Sequence, residues 1–294
     1  MSAAAPARSL TGVGMVVAAV CSVQVGAALA KNLFPTLGAA GVTWLRLAIA
    51  ALILVVIWRP RVWSWDRHSL LLVTAFGLVV AAMNLTFYAS LDRVPLGVAV
   101  TVEFLGPLTL AAVMSRRRSD AVWVVLALLG IVLLVRTSGT GSSGLDPVGL
   151  LLAAGAGVFW AGYILLSSRV GDRISGGAGL AAGLVVAGLV TTPTGVLSVS
   201  GHLGWAVLAA AVGVAVLSSA LPWSLELEAL RRVPTSVFGI LMSLEPAVAA
   251  ISGWALLHEH LTLRQWAGIV LVVLASAGAT ATSTRAAGRI TATA

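Results

Sequence analysis

The chain has 294 residues, of which 59% are hydrophobic and only 10% charged, with a formal net charge of +8 and a mean hydropathy of +1.04. A soluble domain carries about 25% charged residues, so this composition excludes a water-borne globule and makes lipid the solvent for most of the chain. The basic excess does not point to nucleic acid, because the arginines are scattered between apolar runs rather than gathered on one polar domain.

A membrane-spanning helix needs about 20 apolar residues. On that rule the sequence predicts ten spans: 11–30, 36–58, 69–91, 94–114, 120–136, 147–168, 177–198, 205–229, 234–256 and 264–283. The expected fold class is an all-α membrane protein. Arg8, an apolar run and Ala28-Leu29-Ala30 have the shape of a signal peptide, but the run has a counterpart later in the chain and is expected to stay. Cys21, the one cysteine, offers neither a disulfide nor a thiolate metal site and reads as a small packing residue. Small residues recur every four positions as Ala18, Ser22, Gly26 and Ala30 in the first span and as Ala153, Gly157 and Ala161 in the sixth. Such ridges let helix backbones approach closely. The run from Thr137 to Gly144 is glycine- and serine-rich but lacks the ending of a phosphate loop, and reads as a linker over 137–146. His258-Glu259-His260 has its histidines two apart rather than the four a zinc-binding helix face requires. A polar cap at the end of the ninth span is the expected role.

The chain repeats itself. Leu91-Asp92-Arg93-Val94-Pro95 with a second proline at Pro107 returns as Leu230-Arg231-Arg232-Val233-Pro234 with Pro246, 139 positions later for both prolines. Residues 1–136 and 147–284 are therefore expected to be two five-helix halves, with 285–294 a tail. Of the 18 basic residues, Lys31, Arg93, Arg136 and Arg264 fall on one face and Arg46 inside a span; all others lie on the face of the two termini. The positive-inside rule then places both termini in the cytoplasm. Five spans per half is an odd number, so the second half enters from the opposite side, giving inverted repeats of the kind found in secondary transporters.

Charged groups inside apolar spans are costly and mark function. Arg46, Glu103 and Glu245 lie about nine to eleven residues into their spans, which at about 1.5 Å per residue is mid-membrane. Two carboxylates share one guanidinium, so one glutamate is expected to pair with Arg46 and the other to take up a proton or a cation. A static ion pair that only holds the bundle together is the competing reading. Pro107 and Pro246 free the carbonyls of Glu103 and Met242 and can kink their helices. Gln24, Asn84, Tyr88, Trp160 and Tyr163 are further candidates to touch substrate, or else to bond between helices. Glu226 is a third candidate for proton coupling, although its depth places it near the inner interface. Glu228 faces another way, toward water. No nucleophile elbow, catalytic triad, nucleotide motif or metal site is read, and no cofactor is expected.

Several stretches together resemble a known family. Ser22-Val23-Gln24, Ala30-Lys31-Asn32-Leu33-Phe34-Pro35 and Gly41-Val42-Thr43-Trp44-Leu45-Arg46 are followed by Val94-Pro95-Leu96-Gly97, Glu103-Phe104, Gly106-Pro107 and Ser115-Arg116-Arg117. The second half adds Ala220-Leu221-Pro222, Ser224-Leu225-Glu226, Phe238-Gly239, Leu241-Met242-Ser243 and Glu245-Pro246. The sequence resembles the threonine/homoserine exporters within the EamA-type branch of the drug/metabolite transporter superfamily. It departs from them at Trp223, Glu228 and His258-Glu259-His260. The resemblance implies a ten-helix inverted-repeat fold in the bacterial inner membrane and proton-coupled efflux of small amino acids. A zwitterionic substrate also suits the residues, with Arg46 for a carboxylate and a glutamate for an ammonium. Export of a drug, nucleobase or other metabolite remains a rival, and a cation exporter would have no need of Arg46. A membrane-embedded enzyme or receptor is a further rival, one with no use for the repeat.

Overall fold

The computed structural model describes residues 4–115, 121–135, 145–199 and 204–292. The linker residues 137–144 and Arg116, Arg117, Arg118 and Arg136 lie outside them. Every regular element among the described residues is helical. The helices are α1 (Ala4–Asn32), α2 (Phe34–Trp58), α3 (Arg67–Leu91), α4 (Leu96–Glu103), α5 (Leu105–Ser115), α6 (Ala121–Val135), α7 (Pro147–Arg173), α8 (Ala178–Val199), α9 (Trp205–Ala215), α10 (Leu221–Leu230), α11 (Thr235–Met242), α12 (Glu245–Leu257) and α13 (Leu263–Ala292). A π-helical turn, Val216–Ala220, joins α9 to α10.

Nine helical runs are long and apolar enough to cross a membrane, and Val122–Val135 is a shorter apolar helix, among the described residues. Three expected spans are composite: the fourth is α4 with α5, the eighth is α9 with α10, and the ninth is α11 with α12. The outer faces carry large apolar side chains such as Leu52, Val56, Leu71, Val158, Leu189 and Leu197, all more than half exposed. A belt of this kind is what lipid covers. Cys21 lies on an exposed face rather than packed as expected, because the small-residue ridge beside it makes the helix contact instead.

The halves correspond in detail. Pro95 precedes α4 at φ −58°, ψ 146°, and Pro234 precedes α11 at φ −58°, ψ 144°. Both half-helices are eight residues long and end 139 positions apart. Part of the packing follows the same exchange: α2 lies on α8 and α6 on α13, and α3 against α7 answers α1 against α10, whereas α4 on α12 has no such counterpart among the described residues.

Polar starts fix two helices. Asp66 caps α3 by accepting from the His68 amide at 3.2 Å, and Asp146 caps α7 by accepting from the Val148 amide at 2.8 Å. The small-residue ridges do what their spacing predicts. A Cβ on Gly106 or Gly157 would run into the other's backbone, and Gly157 also lies against the Glu103 carbonyl. The break between α4 and α5 is therefore seated directly on α7.

Candidate functional site

Arg46 projects from the middle of α2 and is held by four neighbours. Its Nη1 donates to Asn84 Oδ1 at 2.8 Å and to Tyr88 Oη at 3.0 Å. These two residues are four apart on α3 and so share a face. Asn84 is itself oriented, its Nδ2 donating to the Val80 carbonyl at 2.8 Å, which leaves the amide oxygen for Arg46. The guanidinium carbon lies 5.3 Å from the centre of the Tyr88 ring. On the other side, Nε donates to Ser219 Oγ at 3.2 Å, and Nη2 stands 3.5 Å from the Ser218 carbonyl.

The backbone that carries those last two partners is shaped by a proline. In a π-helical turn each carbonyl accepts from the amide five residues on, as Val216 does from Leu221. The next carbonyl, Leu217, would need an amide from Pro222, which has none. Leu217 instead accepts from Ser22 Oγ of α1 at 2.6 Å. Gly26, one turn along α1, lets that helix close onto the Ser218 backbone. The turn thus ties α1 and Arg46 to one stretch of backbone. Ser218 and Ser219 escaped the sequence reading; Pro222, four residues past Ser218, was the available signal.

Glu103 ends α4 and Glu245 begins α12, and both are buried. Among the described residues no carboxylate lies within 4.0 Å of the Arg46 nitrogens. The expected pairing of one glutamate with Arg46 is therefore not observed; neutral acceptors already occupy the guanidinium. Through space, Glu103 interacts with Arg46, and Glu245 interacts with Glu226 and Glu103. The two midplane glutamates are also not equivalent positions. Counting 139 residues on, Glu103 matches Met242, and Glu245 matches Gly106.

A cavity of about 190 Å³ collects these groups. Gln24, Arg46, Asn84, Tyr88, Glu103, Trp160, Tyr163, Glu226 and Glu245 all line it, together with Trp223 and Met242. Glu226 lines the cavity as well, because the lining extends along α10 as far as this residue. Trp160 meets Phe104 edge to face at 5.3 Å, and Tyr163 lies 5.4 Å from Phe76, so both aromatics are braced from behind. Glu228 points elsewhere and binds Arg232 at 2.6 Å and Arg231 at 3.3 Å.

Toward one end of the cavity, Tyr88 of the lining packs in one apolar cluster with buried Phe34, Leu37, Leu91 and Leu96, and a polar knot lies beside them. Lys31 Nζ meets Glu259 Oε1 at 2.8 Å and donates to the Val94 carbonyl at 2.9 Å, while Glu259 Oε2 accepts from the Leu96 amide at 2.8 Å. Glu259 follows His258, whose left-handed backbone (φ 55°) ends α12. The expected polar cap is thus a bridge joining α1, α4 and α12. At its other end the cavity reaches Leu180, in the first turn of α8.

The chain is 45% identical over 268 residues to the threonine/homoserine exporter RhtA of Salmonella typhimurium strain LT2, covering 91% of this chain and 90% of the relative. It is 46% identical over 265 residues to the protein of the same name from Escherichia coli K12, covering 90% and 89%. The EamA-like transporter family model matches residues 147–281. The chain belongs to the EamA-like transporter family. A more distant member of the comparison, the uncharacterized transporter YwfM of Bacillus subtilis, is 26% identical over 220 residues, covering 72% of each chain. A solved crystal structure matches at a TM-score of 0.60 and 17% identity, over 95% of this chain and 98% of that one; it shows the shared fold alone. EamA-like proteins are transporters rather than enzymes, and this one is a multi-pass membrane protein with a small-molecule substrate.

Proposed function

We propose that this protein exports small amino acids of the threonine/homoserine type across the bacterial inner membrane in exchange for protons. The observation that carries the reading is one immobilised guanidinium in one small cavity with carboxylates that have no fixed partner among the described residues. Arg46 has one Nη2 N–H left over from its four neighbours, and that donor and the fixed positive charge are what it offers a substrate carboxylate. Glu103, Glu245 and Glu226 supply negative charge for an ammonium. At about 190 Å³ the cavity is below the roughly 300–1,000 Å³ of sites that enclose drug-sized ligands, which favours an amino acid over a drug. The similarity to exporters named for threonine and homoserine favours it further.

Coupling follows from competition. A buried carboxylate without a partner takes either a proton or a cation. Protonated, it no longer attracts the substrate ammonium; deprotonated, it does. Occupancy by proton and substrate is then mutually exclusive, the requirement for antiport. With both termini in the cytoplasm, the cavity extends toward the cytoplasmic face and the Lys31–Glu259 knot lies on the outer face. Two inverted halves would exchange these openings by rocking about the fixed site.

The test is counterflow in proteoliposomes. Labelled threonine and homoserine should exchange, carboxylate-blocked analogues should not, and a pH gradient should drive net transport. Glu103→Gln and Glu245→Gln, reconstituted separately, should each impair the gradient-driven flux. Equal transport of blocked analogues would sink the amino-acid reading. Undiminished gradient-driven transport in both variants would remove the midplane glutamates from the coupling and leave Glu226 to carry it.

A further inference from the structure

Gln24 holds the one buried side-chain polar atom without a hydrogen-bond partner among the described residues, its Oε1. The residue is 2% exposed and lines the cavity. Whichever way the amide is turned, one of its two ends is sealed from water and bonded to nothing. Such groups are rare in folded proteins because the lost hydration is not replaced. The backbone beneath it cannot slide to help, because Ser22 and Gly26, two residues to either side, are both locked onto the π-helical turn. The other end of the amide is not sealed and has no protein partner among the described residues, and because Gln24 lines the cavity that end is the one a ligand can reach.

We propose that Gln24 is the group that reads a hydroxyl on the substrate side chain, making the site selective for short hydroxy amino acids over their aliphatic counterparts. This rests on the amino-acid reading above. The two charged ends of an amino acid are spoken for by Arg46 and the glutamates. Among the other lining groups, Asn84 and Tyr88 are bound to Arg46 and Ser218 Oγ donates to the Val214 carbonyl, while Val23, Val80, Met83, Val100 and Leu184 are apolar. An uncharged amide that both donates and accepts matches a hydroxyl, which does the same, and matches neither a methyl nor a third charge. A site built this way rejects the analogue that lacks the hydroxyl more strongly than an apolar pocket can reject an extra one.

Threonine and valine differ by a hydroxyl in place of a methyl at nearly constant shape, so their ratio isolates the contact. Wild-type vesicles should prefer threonine. Gln24→Met, of similar length without the amide, should lower the threonine-to-valine ratio about tenfold, through weaker threonine and stronger valine transport. Its melting temperature in detergent should be unchanged or higher, since an unpartnered polar atom has been removed. Gln24→Asn keeps the amide but withdraws it by one methylene; its ratio should fall as well, so the result does not depend on methionine being tolerated. An unchanged ratio, or both amino acids falling by one common factor, would overturn the assignment and make Gln24 a packing residue. Wild-type vesicles that move neither amino acid would overturn the amino-acid reading itself, and that would be seen before any substitution is made.

Discussion

The knot of Lys31, Glu259, Val94 and Leu96 ties α1, α4 and the end of α12 together, and Glu259→Gln should loosen it and open that end of the cavity. The substitution keeps an acceptor for the Leu96 amide and removes the charge facing Lys31 at 2.8 Å. At that distance, with an effective dielectric of about 20, the bare attraction is about 6 kcal/mol. That is a ceiling, since both side chains keep some water, 22% and 14% exposed, and both lose hydration when the knot forms. A net loss of about 1.5–3 kcal/mol, the usual range for a hydrogen bond to a charged group, is the working figure. It corresponds to a rise of roughly ten- to a hundredfold in the population open at that end. The assay is alkylation of a cysteine placed at Phe87, in the cavity lining, with Cys21 replaced by serine and an impermeant maleimide on the side of Lys31. The labelling rate should rise by that factor. Lys31→Met should behave alike, and the double variant should add little beyond either single one. Unchanged labelling in both single variants would show that the pair does not hold the end closed.

Three other outcomes follow from the same geometry. Arg46→Lys loses the forked donors that now reach Asn84, Tyr88 and Ser219, so substrate affinity should fall roughly tenfold or more; unchanged affinity in a binding titration would make Arg46 structural. Gly157→Ala should destabilise by about 1–3 kcal/mol, because its Cβ meets the Glu103 carbonyl, whereas Gly155→Ala on the same helix meets open space; paired thermal melts in detergent compare them, and equal melting points would contradict the seating of the break on α7. Asp146, outside the spans, has its carboxyl held below the ordinary value of 3.8, first by the Arg93 hydrogen bond and then by the Val148 amide. Its contribution to stability is complete above that ordinary value and fades as pH falls through the lowered one. Asp146→Asn should therefore flatten the acid limb of the stability profile below pH ~4, and an unaltered limb would count against it.

The parts of the site legible in the sequence were those that lipid makes expensive. Arg46, Glu103 and Glu245 stand out because a charge in an apolar run needs a reason, and Gln24, Asn84 and Tyr88 stand out for a weaker form of the same reason. The helix breaks were legible through Pro95, Pro107, Pro234 and Pro246, which repeat at one spacing. What stayed hidden was tertiary. Ser218 and Ser219 are ordinary residues for an apolar span until a π turn and Pro222 release their stretch of backbone. Lys31 and Glu259 are 228 positions apart, and nothing local marks either as the other's partner. Glu226 was misjudged because residue counting gives depth along one helix and cannot show how far a cavity between helices extends.

The offset of the two midplane glutamates has a consequence for direction. Exchanging the halves carries α4 onto α11 and α5 toward α12, but it lays Glu103 on Met242 and Glu245 on Gly106. The scaffold is therefore close to even-handed while its charge is not. A carrier whose two openings were chemically alike would fill and empty equally well from either face, like a revolving door. Here one glutamate closes a half-helix and the other begins one, so exchanging the halves does not reproduce the charges around the cavity. The asymmetry is carried by two side chains rather than by the fold.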